Sequence, residues 1–108
     1  MLDPQAVTVF PSDQARYDYL VQASVRLDEP GRAAGCDLRV CVEEEHGPGN
    51  WHAEGCGVST VEPTVADYYS LTPYVDCDSS ADTGNYRSYV RFEDSVVARV
   101  GEARAVCS

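Results

Sequence analysis

The chain contains no lysine, because all eight of its basic residues are arginine. This absence excludes Schiff-base catalysis and a phosphate-binding loop built on lysine, since both need an ε-amino group. The chain also lacks a run of about 18 apolar residues, so no segment is predicted to span a membrane as a helix. No segment shows a helical repeat of apolar residues either, which leaves β structure as the predicted class.

Motifs for catalysis are missing as well. The sequence has no Cys-x-x-Cys pair, no Gly-x-Ser-x-Gly and no glycine-rich phosphate loop. The segment Gly55-Cys56-Gly57, close to His52, comes nearest to a nucleophile with a base. A bridged cysteine between two glycines that permit close strand approach is the simpler interpretation. The sequence therefore predicts no enzyme and no cofactor.

The charge is strongly one-sided. Eighteen acidic residues against eight arginines give a net charge of -10 over 108 residues, and the acidic residues are spread along the chain. Such a surface repels the phosphates of nucleic acids and anionic membranes, so neither nucleic acid binding nor membrane insertion is predicted. A basic protein is a more suitable partner. The length fits a single domain, residues 1–108, with a modest core.

Five cysteines are many for a short chain in a reducing compartment. Structural disulfides explain them best, and this predicts a secreted, extracellular protein. No signal peptide is visible in the first residues, Met1 to Gln5. If the protein is secreted, Met1 is therefore predicted to stand in place of a cleaved leader.

Period-two alternation dominates the hydrophobic pattern. The clearest case is Arg16 to Asp28, where Tyr17 and Tyr19 begin an apolar face that is predicted to lie in the core. Seven runs have strand character: 5–10, 16–28, 36–45, 51–62, 66–76, 86–92 and 95–106. Their spacing predicts an all-β fold, an antiparallel β-sandwich of immunoglobulin-like or fibronectin-like type with about seven strands. A small closed barrel is the alternative.

Strand parity suggests how the cysteines pair. Cys41 lies on the polar face of its strand, and Cys56 is predicted to lie opposite it across the loop 43–50. In that alternation Cys56 shares its face with His52, Glu54, Val58 and Thr60. A second bridge, Cys77 to Cys107, would fasten the C-terminus, which leaves Cys36 as a buried free thiol. Pairing of Cys36 with Cys41 or Cys56 is the alternative.

Two segments carry possible metal ligands. The acidic loop offers Asp76, Asp78, Ser80 and Asp82 at alternate positions, as in the first half of a calcium loop. Its sixth position is Ala81 and its twelfth is Arg87, where an EF-hand has glycine and glutamate, so an ordinary turn is the simpler interpretation.

The second segment surrounds the turn Gly47-Pro48-Gly49-Asn50. His46 and His52 flank it, and nearby glutamates could complete a zinc or copper site: Glu43, Glu44, Glu45 and Glu54. The spacing is typical of no known site, and surface histidines are the simpler interpretation, so no metal site is predicted.

Aromatic and arginine residues suggest a binding surface instead. Arg87, Tyr89 and Arg91 have the same parity, and one of the adjacent residues Tyr68 and Tyr69 must point outward. The predicted surface for a protein partner consists of Trp51, Tyr68, Arg87, Tyr89 and Arg91, the residue types enriched at binding hot spots. Cross-strand stacking over a solvent-facing sheet is the alternative.

The C-terminal third has a loose family resemblance. Cys77, the segment Asn85-Tyr-Arg-Ser-Tyr-Val90 and the ending Ala105-Val-Cys107 resemble the C-terminal part of small secreted, disulfide-linked β-sandwich proteins of actinobacteria. The resemblance implies secretion and a sandwich fold, and it implies no catalytic residues. Tendamistat-type amylase inhibitors are also small secreted β-sandwiches, but their Trp-Arg-Tyr triplet is absent, since His52 follows Trp51.

These observations favour a secreted, non-catalytic protein-interaction module, such as an adaptor or accessory subunit of an extracellular assembly. Its partner would be another secreted protein, and the chain would be a monomer or a component of a hetero-complex. The alternative is an inhibitor of an extracellular hydrolase that presents the turn from Gly47 to Trp51. A calcium-dependent or small-molecule binding domain is the second alternative.

Overall fold

The computed structural model describes residues 2–11, 19–27, 35–61, 68–71, 74–75 and 84–106, and for 68–71 and 74–75 it describes the backbone alone. These ranges hold nine strands in two antiparallel sheets, which confirms the predicted all-β class. No helix in the described ranges is long and apolar enough to cross a membrane.

The first sheet is built around β2 (Tyr19–Leu27). On one side β2 pairs with β1 (Leu2–Pro11), and on the other with β5 (Tyr68–Leu71) and β6 (Tyr74–Val75). The predicted alternation is confirmed along β2, where Val21, Ala23, Val25 and Leu27 are at most 3% exposed. The core position predicted for Tyr19 is wrong: its side chain is 38% exposed, because it begins the strand at the margin of the sheet. Tyr17 lies outside the described residues.

The second sheet is built around β3 (Asp37–Glu45). This strand lies between β4 (Trp51–Thr60) and β7 (Asn85–Phe92), and β7 also pairs with β8 (Arg99–Val100) and β9 (Arg104–Ala105). The predicted runs 66–76 and 95–106 are each divided into two short strands, so seven runs correspond to nine strands. The sequence places Pro73, which cannot donate a ladder hydrogen bond, between β5 and β6.

Both sheets contribute to one apolar core. The first supplies Val7 together with the inward residues of β2, and the second supplies Leu38, Val40, Val42, Tyr86 and Val90. Each buried aliphatic side chain stabilises the fold by about 1.5–3 kcal/mol, an upper estimate because the unfolded chain already shields some surface. The described strand pairings do not close the sheets into a barrel.

The two sheets are joined at three points, by two hydrogen bonds and by one close approach of backbones. The backbone N–H of Ser24 donates to the buried hydroxyl of Ser88 at 3.2 Å, and the Arg104 guanidinium donates to the Val7 carbonyl at 3.2 Å. At the third point, Gly101 lies against β1: a Cβ added there would be 2.6 Å from the Gln5 carbonyl oxygen. Glycine, which has no Cβ, permits this close approach of two backbones.

Candidate functional site

The face of the second sheet that points away from the core, here called the outer face, carries most of the predicted binding residues. Residues that pair directly across antiparallel strands point to the same side. Cys41 pairs with Cys56 and with Tyr89, and Glu43 pairs with Arg87. In the same way, Arg39 pairs with Val58 on β4 and with Arg91 on β7. The register therefore places the three β7 residues of the predicted surface on the same face as Cys41 and Cys56.

A disulfide lies at the centre of the outer face. Cys41 and Cys56 are bonded, with their Cα atoms 4.1 Å apart, which confirms the predicted bridge. Cys41 is 2% exposed although it faces away from the core, because Cys56 and Tyr89 flank it on the neighbouring strands. Cys36 is a free thiol as predicted, but it is half-buried and not buried. Cys77 and Cys107 lie outside the described residues, so their bridge stays a prediction.

Trp51 and Arg87 are in contact on this face. The guanidinium carbon of Arg87 lies 4.1 Å from the centroid of the Trp51 ring, which is a cation–π geometry. The Nε atom of Arg87 also donates to Glu43 Oε1 at 2.8 Å. An arginine with both an aromatic and a carboxylate contact has little rotamer freedom left, so the two contacts hold Arg87 in one arrangement.

The other arginines of the outer face are also anchored. Arg91 Nη1 lies 3.3–3.5 Å from the backbone carbonyls of Phe92, Glu93 and Ser95 and so holds the turn after β7. Arg39 forms an ion pair with Glu93. Tyr89 is half-buried and lies between Arg87 and Arg91 along β7. Val58, opposite Arg39, is 48% exposed, and Val100, opposite Tyr89, is 45% exposed. The face thus combines aromatic, aliphatic and guanidinium groups on a rigid sheet.

Other predicted site residues cannot be placed in this way. Tyr68 begins β5 in the first sheet, where its backbone pairs with Arg26, and its side chain is not described. The weak calcium ligands Asp76, Asp78, Ser80 and Asp82 lie outside the described residues.

The turn between β3 and β4 is fixed by three hydrogen bonds. His46 N–H donates to the Asn50 carbonyl, and Asn50 N–H donates to the Gly47 carbonyl, both at 2.8 Å. Gly49 has φ of 75°, which favours glycine, and its N–H donates to the Glu45 carboxylate at 2.8 Å. The exposed residues Pro48 to Asn50 are therefore presented on a tightly bonded loop.

A second group of side chains meets behind this turn, on the core side of the hairpin. We call it the hairpin cluster: Glu44, His46 and Glu54. The Nε2 atom of His46 lies 3.0 Å from Glu44 Oε1 and 2.7 Å from Glu54 Oε1. One ligand atom from each residue falls within 4.8 Å of the others. Among the described residues, the hairpin cluster is the group whose side chains could together hold a metal ion.

A β-bulge brings Glu54 into the hairpin cluster. Val42 pairs with Gly55 and Glu43 pairs with Ala53, so Glu54 is an extra residue on β4. Bulges interrupt the alternation of side chains and re-aim the inserted residue. Uninterrupted alternation predicts that His52 and Glu54 lie on the Cys56 face, and that prediction is wrong: His52 pairs with Glu44, on the core side.

Glu44 is the anchor of the hairpin cluster. It is 7% exposed, and its Oε2 atom accepts a hydrogen bond from the buried hydroxyl of Tyr86. The ring of His52 lies 4.7 Å from that of His46, and its Nε2 atom is 3.1 Å from Asn50 Oδ1. Sequence reasoning had noted these glutamates and histidines, but not Tyr86, whose contact with Glu44 depends on the pairing of β3 with β7.

The chain matches no protein-family model, no curated protein and no solved structure.

Proposed function

We propose that this chain is a secreted, non-catalytic protein-interaction module that binds another secreted protein through the outer face. We further propose that its two sheets form a β-sandwich of immunoglobulin-like or fibronectin-like type, as in the actinobacterial proteins that its C-terminal third resembles. One observation carries the functional proposal: Trp51 of β4, which is far away in sequence, lies on the same face of one sheet as Arg87, Tyr89 and Arg91 of β7.

The composition of the outer face supports binding. Tryptophan, tyrosine and arginine are the residues most enriched at hot spots, and here they lie around the disulfide that links β3 to β4. Arg39, Arg87 and Arg91 are already held by carboxylates or carbonyls, so binding costs little further side-chain entropy. The disulfide itself supports an oxidising, extracellular location.

The charge of the chain indicates the kind of partner. The outer face pairs Arg87 with Glu43 and Arg39 with Glu93, whereas the whole chain has a net charge of -10. A basic protein would be attracted by the long-range field and would then meet a face without excess negative charge. Its association rate should therefore fall as salt concentration rises.

Differential capture tests the proposal. The oxidised chain and its Tyr89→Ala variant serve as baits for secreted proteins of the source organism, with Tyr19→Ala as the matched control. Tyr19 is an exposed tyrosine of the other sheet, 38% accessible. We expect a basic protein to be retained by the wild type and by Tyr19→Ala, and its purified form to bind Tyr89→Ala about thirtyfold more weakly, since truncating a hot spot costs about 2 kcal/mol. Equal binding by all three baits would overturn the assignment of the face.

The turn supports one second candidate, an inhibitor of an extracellular hydrolase. A loop held by three hydrogen bonds is ordered before binding, which is how rigid inhibitory loops reduce the entropic cost of association. Inhibition that is abolished by Asn50→Ala but kept by Tyr89→Ala would favour this candidate. The reverse result would favour the outer face.

A further inference from the structure

We propose that the hairpin cluster, Glu44, His46 and Glu54, is a Zn²⁺ site. The site is separate from the outer face, because these side chains lie on the core side of the β3–β4 hairpin and at its turn end. The inference therefore goes beyond the interaction function and does not depend on it.

The convergence of three ligand atoms is the first argument. His46 Nε2 is within hydrogen-bond distance of two carboxylate oxygens at once, 3.0 Å from that of Glu44 and 2.7 Å from that of Glu54. One imidazole N–H cannot point well at both oxygens. A cation between the three atoms would bind a lone pair from each. Zinc ligands at about 2.0–2.2 Å in tetrahedral geometry lie roughly 3.4 Å apart, so His46 Nε2 has to separate from Glu44 Oε1 by about 0.4 Å and from Glu54 Oε1 by about 0.7 Å.

Preorganisation of Glu44 is the second argument. A carboxylate that is 7% exposed is costly to bury unless its charge is compensated. The Tyr86 hydroxyl donates to Oε2, and the Oε1 atom faces His46. Metal-ligating carboxylates are commonly oriented by such an outer hydrogen bond, which fixes the ligand and is important for affinity.

The bulge at Glu54 is the third argument. Without the extra residue, β4 would continue a regular ladder opposite Val42 and Glu43. The interruption places the Glu54 carboxylate beside His46. Bulges are frequent next to functional sites because they re-aim one side chain without changing the strand order.

The donor set selects the metal. An imidazole nitrogen with two carboxylate oxygens suits a borderline cation such as Zn²⁺, whereas Ca²⁺ prefers six to eight oxygens and Mg²⁺ an octahedral oxygen shell. Three protein ligands leave one tetrahedral position for water or for a group of another molecule. His52 lies beside the cluster but its Nε2 atom contacts Asn50, so we do not count it as a ligand.

Zinc titration tests the site. The metal-stripped full chain, oxidised at Cys41 and Cys56 and alkylated at Cys36, is titrated with ZnCl₂ against a chromophoric chelator. Excess CaCl₂ is present to fill any hard-cation site. We expect one equivalent of zinc to bind, and Glu54→Gln and His46→Gln to bind at least about tenfold more weakly, a loss typical even for partners outside the coordination sphere.

Two matched controls identify the ligands. Glu102→Gln removes an exposed carboxylate elsewhere, and His52→Gln removes the neighbouring imidazole. Both should keep their zinc affinity within about twofold. The ring nitrogen resonances of His46 should shift on zinc addition in the wild-type protein, a readout that needs no variant. Unchanged zinc affinity in Glu54→Gln, an equal loss in Glu102→Gln, or no zinc binding by the wild type would each overturn the proposal.

Discussion

Arg87 lies over the ring of Trp51, with its guanidinium carbon 4.1 Å from the ring centroid, and the two residues belong to strands that do not pair with each other. Their contact bridges over β3, the strand between β4 and β7. A double-mutant cycle of Trp51→Ala and Arg87→Ala, followed by urea unfolding, should give a coupling energy of about 0.5–1 kcal/mol. The same cycle with Arg99, which is exposed on β8, should give none. Equal coupling in both cycles would mean that the stacking is not maintained in solution.

The disulfide should contribute substantially to stability. Cys41 and Cys56 enclose a short loop, with a sequence separation of 15, and for a loop of that size the entropy model gives about 3 kcal/mol. The double variant Cys41→Ala and Cys56→Ala should therefore lose about this much unfolding free energy in urea. Alkylation of Cys36, which is free and half-buried, serves as the comparison and should have a smaller effect.

Ser88 should contribute more to the stability of the fold than its small side chain suggests. Ser88 is 0% exposed. Its hydroxyl accepts a hydrogen bond from the Ser24 N–H at 3.2 Å, and this bond links the two sheets. Ser88→Ala leaves that N–H without its acceptor, which costs about 1–3 kcal/mol. Ser59→Ala, an exposed serine on β4, should change stability by about 0.5 kcal/mol or less. Thermal unfolding compares the melting temperatures of the two variants. Equal melting temperatures would contradict the contribution of the hydrogen bond between Ser24 and Ser88.

Two glycines should respond in opposite ways to the same change. At Gly101 a Cβ would meet the Gln5 carbonyl at 2.6 Å, so Gly101→Ala must push β1 away and should cost about 1–3 kcal/mol. At Gly47 a Cβ has nothing within 4 Å, so Gly47→Ala should be neutral or stabilise by up to about 1 kcal/mol. Chemical denaturation of the pair measures the contrast. A destabilised Gly47→Ala beside an unaffected Gly101→Ala would show that β1 does not approach the chain there.

Local pattern was sufficient to predict much of the fold. Alternation along β2 and β3 identified the strands and their buried faces, and the parity of Cys41 with the intervening loop identified its partner Cys56. These features depend on neighbours in sequence or on one hairpin. The common parity of Arg87, Tyr89 and Arg91 likewise follows from a single strand.

Contacts between distant segments could not be predicted. Nothing in the sequence indicates that β7 lies beside β3, so neither the Arg87 contact with Trp51 nor the Tyr86 contact with Glu44 was foreseen. The bulge at Glu54 gives no local signal either, and it reversed the predicted face of His52. Tyr19 was misplaced because alternation alone does not tell where a sheet ends.

The extra residue on β4 also affects how the hairpin cluster can evolve. Glu54 stands between two regular pairings, Val42 with Gly55 and Glu43 with Ala53. Deleting its codon would make the ladder continuous and would leave Cys41 opposite Cys56. Insertion of one codon at this point would restore the bulge. The carboxylate beside His46 can therefore be gained or lost in a single genetic step, while the strand order and the disulfide of the domain are inherited unchanged.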